Sequence, residues 1–450
     1  MSPGVGTDLA AVPPDNGRTA QTTEEINVST RRRSAGIVVL IVIAAIRCTG
    51  RRAETAAPVW LSRPEVARAE IPPADSMVAD IYVDATLSMT GFVTDPDSAY
   101  VRLLDELEGS LANKWKKSAD LRYYKFGKSV RQVDRTEFRQ ARTPAFYNER
   151  GIYETTDIDL VAARATPKRL SVAVTDLFQR DQDMNPIVSS IRRNVFEKEL
   201  AVGILAVNSE FDGKVYDART APYRYASRKG AGGTYRPFYL LLFGDAAAIE
   251  ELVNALAQRP FIDRSKFLLI SPHIVRKYQV SAAKRAGSKS LKARAGGGEA
   301  DEFMFDVRKN GRGGVIDAEI RIEPNPHAAD FKPEAIEIIA RQTAPSGSET
   351  RDVSLQSVTR TGDLLKASLL LDIAAAEGKY SYDVLFRTRG PGALNVPKWI
   401  DELSSENPTP EKEANRTLNL KRFVTELIDA SASIHRPALA KLRLNVRKLG

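Results

Sequence analysis

Between residues 77 and 270 the apolar positions switch repeatedly between two periods. Ala79–Val83, Leu121–Phe126, Leu170–Val174, Leu200–Val207 and Arg236–Phe243 are short β-rich runs. Ala99–Trp115 carries Val101, Leu103, Leu104, Leu107 and Leu111 at helical spacing. Asp157–Arg164 reads as a helix start, and Ile187–Lys198 and Ala246–Gln258 are helical again, the last with Ile249, Leu252, Val253 and Leu256 on one face. Strand-then-helix alternation argues a parallel sheet covered on both sides, and Leu170–Val174 has the unbroken apolar character of a central parallel strand. The expected fold over 77–270 is therefore α/β with a doubly wound, mostly parallel sheet. Phe267–Ile270 would end it.

Beyond residue 270 the pattern changes. Residues 271–298 are basic and end in three glycines, which predicts a linker. Glu302–Val307, Val315–Ile322, Ala335–Ile339, Val353–Val358, Leu364–Ile373 and Tyr380–Phe386 then arrive every ten to fifteen residues with no helical stretch between them, predicting a smaller β-sandwich over 299–395. In the remaining segment, 396–450, Leu420, Phe423, Val424, Leu427 and Ile428 give a C-terminal amphipathic helix. Leu442, Leu444 and Val446 alternate with polar residues, as in an edge strand.

The front of the chain reads differently. Arg31-Arg32-Arg33 precedes the apolar run Ala35–Ile46, which is too short to cross a bilayer but fits the centre of a secretory signal. Cys48 follows it, as in a bacterial lipoprotein signal, although Arg47 stands where a small residue is usual. Residues 1–52 are thus expected to be an N-terminal extension with a signal or membrane anchor, and 53–76 a Pro-rich linker. An exported, envelope-held protein is the expectation.

Composition narrows the chemistry. The net charge of +9 lies in that front segment and in 271–298, where seven basic residues meet no acidic one; the rest has 52 basic against 53 acidic residues. A single basic segment beside neutral domains is no nucleic-acid footprint, and none is expected to bind. One cysteine and three scattered histidines leave a zinc site without ligands.

The sharpest local signal is Asp84-Ala85-Thr86-Leu87-Ser88 at the end of an apolar strand. A carboxylate with hydroxyls at i+2 and i+4 is a hard-oxygen set suited to Mg²⁺, Ca²⁺ or Mn²⁺, and the carboxyl end of a strand is where open α/β sheets place ligands. The plainer alternative is turn chemistry, in which such side chains satisfy local backbone groups. Two further segments join it: Thr155-Thr156-Asp157-Ile158 opens a helix, and Val174-Thr175-Asp176 ends a strand.

With these three segments the stretch 77–270 resembles the von Willebrand A-type family, in which three such loops build a metal-ion-dependent adhesion site. The resemblance implies that Asp84, Thr86, Ser88, Thr156 and Asp176 hold one divalent cation, Mg²⁺ or else Ca²⁺ or Mn²⁺. It further implies that a protein partner completes the shell with an Asp or Glu, and that the chain is no enzyme. Thr86 departs from the usual Ser, and Leu177 stands where glycine is common. Two alternatives remain: a metal-free scaffold acting through its β domain, and an Asp-dependent phosphotransferase or hydrolase, against which Thr86 fills the position of the acid/base Asp. Phosphate-loop, dinucleotide and G-x-S-x-G patterns are incomplete.

Overall fold

A computed structural model describes residues 59–62, 77–115, 119–177, 184–216, 221–227, 235–296, 298–345, 347–409 and 412–450. The expected signal segment and Cys48 lie outside these residues. Every element below belongs to one unit, Thr55–Gly450.

The first sheet has seven strands: β1 (Met77–Asp84), β2 (Ala119–Phe126), β3 (Val130–Val133), β4 (Arg169–Thr175), β5 (Ala201–Ser209), β6 (Arg236–Gly244) and β7 (Phe267–Ile270). Their order in space is β7-β5-β6-β4-β1-β2-β3. β2, β1 and β4 run parallel side by side, whereas β6 lies antiparallel between β4 and β5, and β3 and β7 are antiparallel edges. Helices α1 (Ala99–Trp115) and α3 (Ala246–Leu256) cover one face; α2 (Asn185–Asn194) covers the other. On α1 the buried face is Leu103, Leu104, Leu107 and Leu111, as its spacing predicts.

The expected doubly wound, mostly parallel fold is not what forms. The chain is mostly β, with mixed and antiparallel sheets. Part of the reason lies between Ser209 and Arg236. A parallel neighbour needs a crossover, usually a helix. Here the described part of the connection is a hairpin, Asp212–Val215 with Tyr223–Ala226, and β6 returns antiparallel to β5.

The predicted linker 271–298 is also corrected. It contains β8 (Val275–Lys284) and β9 (Leu291–Arg294). These join β10 (Glu302–Val307), β11 (Gly313–Pro324), β12 (Ile336–Ala344), β13 (Val353–Thr361), β14 (Leu364–Asp372), β15 (Gly378–Thr388) and β16 (Ala438–Lys448) in two further sheets. One has the order β8-β11-β14-β13, with the two-residue strand Leu61–Ser62 against β8; the other has β9-β10-β16-β15-β12. That short strand falls within the expected 53–76 linker, so part of this stretch is structured too. Ile320 and Leu369 from one sheet share a core with Val384 and Leu444 from the other.

The tail is no edge strand. β16 pairs parallel with β10 and antiparallel with β15, in the middle of its sheet. Before it, α4 (Leu420–His435) buries Leu420, Phe423, Val424, Leu427 and Ile428, the predicted stripe, in the core that also holds the α2 face of the first sheet.

Candidate functional site

β1, β2 and β4 end together, and the five predicted residues stand at that end. All are buried: Asp84, Thr86, Ser88, Thr156 and Asp176 are each at most 5 % exposed. Asp84 Oδ1 accepts from the Thr86 backbone N–H at 3.1 Å and the Thr86 hydroxyl at 2.7 Å. The Thr86 and Ser88 hydroxyls are 3.0 Å apart. Asp84 Oδ2 accepts from Thr156 at 3.2 Å, and Thr156 lies 3.4 Å from the Thr86 hydroxyl. Four of the five therefore form one hydrogen-bonded cluster, joined from loops 70 residues apart.

Backbone packing sets their positions. Ala85 N–H donates to Phe126 O at 2.8 Å, tying the β1 loop to the end of β2. Gly127 then accepts the loop that carries Thr156: Lys128 N–H donates to Ile152 O at 2.9 Å and Asp157 N–H to Gly127 O at 3.1 Å. A Cβ at Gly127 would stand 2.0 Å from the Ile152 carbonyl oxygen, so only glycine allows this approach. The 3₁₀ turn Leu87–Val93, which includes Ser88, packs its Gly91 against Gly213 of the hairpin.

A further residue enters that the motif does not contain. The Thr175 hydroxyl donates to Asp84 Oδ2 at 2.7 Å and accepts from Leu177 N–H at 3.1 Å. The register explains it: Val83 faces Val174 across the parallel ladder, so the next step sets Thr175 beside Asp84. Asp176 follows one residue later, buried at the strand end. The charges of Asp84 and Asp176 both help to raise the buried Tyr100 hydroxyl above its ordinary value, after burial itself. Tyr100 bonds the Tyr147 hydroxyl at 2.9 Å. Leu177 adopts φ 62°, the left-handed conformation glycine takes without cost, so the third loop holds a glycine-like bend with a leucine in it.

Burial pushes the Asp84 carboxyl up to about 6, against hydrogen bonds from Thr175, Thr86 and Thr156 that pull it down. Among the described residues no basic side chain bonds it. Nor, among them, does any group of three or more His, Cys, Asp or Glu gather, so a cation here would rest chiefly on hydroxyls. The donor set fits a hard divalent cation: carboxylates and hydroxyls, with no sulfur or imidazole.

The C-terminal segment reaches this end of the sheet as well. Arg236, 2 % exposed, donates to Ala414 O, and Tyr239 bonds the Thr417 hydroxyl at 2.9 Å. An apolar crevice lined by Ile158, Leu177, Leu418 and Phe423 adjoins the cluster. In comparisons with known proteins, no family model and no curated protein sequence matches the chain.

Proposed function

We propose that the chain is a protein-binding module that holds one divalent cation, Mg²⁺ or a similar hard ion, on Asp84, Thr86, Ser88, Thr156 and Asp176. The carrying observation is the buried Asp84 carboxylate, ringed by the hydroxyls of Thr86, Thr156 and Thr175 and lacking a basic partner among the described residues. Few charged ligands would leave the ion electrophilic, so a carboxylate from a partner protein completes its shell. The similarity to von Willebrand A-type loops supports this through the site alone, since the surrounding sheet differs. Asp84 and Asp176 supply charge; the hydroxyls supply neutral oxygens; the polar turn of each loop keeps them convergent. The export signal read in 31–48 would put this grip at the cell envelope.

A metal-free scaffold is the second reading, favoured by the saturation of Asp84, both of whose oxygens already accept hydrogen bonds. Calorimetric titration with Mg²⁺ and Mn²⁺ separates the two. Wild type should bind one ion, and Asp84→Ala and Asp176→Ala should not. Absence of binding by wild type would sink the metal reading.

A further inference from the structure

One end of the sandwich gathers a surplus of cations. β8 finishes at Lys284, and the turn after it is bonded to its neighbours. Arg285 N–H donates to Val315 O at 2.8 Å, Val315 N–H to the Ser288 hydroxyl at 3.1 Å, and Arg308 N–H to Ser290 O at 2.9 Å. Ile373 N–H donates to Arg312 O at 2.6 Å. These bonds set the turns near 284–291, 308–313 and 372–378 side by side. Lys284, Arg285, Lys289, Arg308, Lys309 and Arg312 are all exposed there. Arg285 pairs with Asp317 and Arg312 with Asp372. Among the described residues, Lys284, Lys289, Arg308 and Lys309 have no acidic partner. Lys448 adds a charge, donating to the Ile373 and Ala375 carbonyls, while Glu377 beside Gly450 returns some negative charge. The surplus stays positive.

The second observation is apolar and independent. Among the described residues the exposed large hydrophobics are Val59 at 57 %, Trp60 at 43 % and Leu449 at 37 %. Leu449 belongs to this same end, its N–H donating to Val307 O at 2.9 Å. Val59 and Trp60 precede Leu61, which pairs antiparallel with Tyr278 of β8. Continued by one residue, that register sets Trp60 level with Gln279, in the middle of β8 and not at its Lys284 end.

Unpaired lysines and arginines beside an exposed leucine match the chemistry of a bilayer interface. Headgroup phosphates take the cations, and an exposed apolar side chain beside them enters the interfacial layer. A phosphate-dominated nucleic-acid contact has no use for the apolar rim. We propose that this end of the sandwich docks on an anionic lipid bilayer. Lys284, Lys289, Arg308 and Lys309 meet the headgroups, and Leu449 enters the interfacial layer. The surface is separate from the Asp84 cluster and does not depend on a metal there.

The test is co-sedimentation of the full chain with vesicles of phosphatidylglycerol and phosphatidylcholine, or of phosphatidylcholine alone. The triple variant Lys284→Glu, Lys289→Glu, Lys309→Glu changes only exposed, unpartnered side chains, and an unchanged melting curve checks its fold. Each lost cation weakens binding about fivefold, so the variant should bind anionic vesicles at least about a hundredfold more weakly. Leu449→Ala should also weaken binding, and added salt should weaken that of wild type. Equal sedimentation of variant and wild type overturns the proposal, and so does indifference of wild type to lipid charge. A charge-independent hold by the N-terminal segment shows as binding to phosphatidylcholine alone and is subtracted before wild type and variant are compared. Binding of duplex DNA through the same lysines, with none to vesicles, assigns the surface to nucleic acid instead.

Discussion

The Thr175 hydroxyl donates to Asp84 Oδ2 at 2.7 Å, which makes Thr175 a closer neighbour of the candidate site than its sequence position beside Asp176 suggests. Thr175→Val keeps the shape and removes the donor, leaving Oδ2 with the longer bond from Thr156. A hydrogen bond to a charged group is worth about 1.5–3 kcal/mol. Above pH 6 the variant should lose stability of that order. It should also bind Mg²⁺ several-fold more weakly, because its carboxyl ionises less readily. Thr175→Ser should restore both. Thermal melts and calorimetry at one pH decide it, and unchanged values would make the bond incidental.

Gly127 gives the second prediction. Its missing Cβ leaves room for the Ile152 carbonyl, and the loop seated there delivers Thr156. Gly127→Ala must push that loop away by more than a side-chain adjustment, since the obstacle is backbone. Stability should fall by about 1–3 kcal/mol, the overpacking range. Mg²⁺ binding should fall with it, while Gly109→Ala on α1, with open space around its Cβ, should change Mg²⁺ binding little. Undiminished Mg²⁺ binding by Gly127→Ala would remove Thr156 from the ligand set.

Which of these features the chain reveals by itself depends on the range of the interaction. α1 and the stripe of α4 are local, and 3.6-residue spacing of leucines predicts them directly. The Asp84, Thr86 and Ser88 loop is equally local. β6 shows the limit. Arg236–Gly244 is buried along its whole length and reads as an interior strand in either direction, so periodicity is silent on its antiparallel course. The segment 271–298 failed through composition. Its charges and glycines look like a linker, yet Val275, Tyr278 and Leu291 turn inward from two strands. Thr175 was hidden because only the register of β1 against β4 selects it over Asp176.

The central place of β16 makes a prediction about the tail. Leu442, Leu444 and Val446 are buried between β10 and β15. Leu444→Ala should cost about 2–5 kcal/mol, the range for a buried leucine. Ending the chain before Ala438 should unfold the sandwich rather than trim it. Urea unfolding of the point variant and native proteolysis of the truncated chain read these outcomes. A loss below about 1 kcal/mol for Leu444→Ala would return β16 to the edge.

The last prediction follows from Asp84's carboxyl, held at about 6 by burial. In the unfolded chain an Asp titrates near 3.9. The folded state thus prefers the protonated form. Below about pH 4 both states are protonated and Asp84 costs nothing. Between about pH 4 and 6 the unfolded chain ionises first, and stability is lost as pH rises from the unfolded value to the folded one. Above that the cost levels off at about 3 kcal/mol. A cation binds only the ionised form, so its affinity should rise about tenfold per pH unit below 6 and flatten above it. Saturating Mg²⁺ should then offset the loss where it is greatest, near neutral pH. Asp84→Asn cannot ionise, so the difference between wild-type and variant melts isolates this one group from the other carboxylates. Without metal that difference should grow against wild type from pH 4 to 6; with Mg²⁺ it should shrink or reverse above 6. A difference that ignores Mg²⁺ at every pH, in melts run from pH 4 to 8, would leave Asp84 a buried structural carboxyl and the scaffold reading in force.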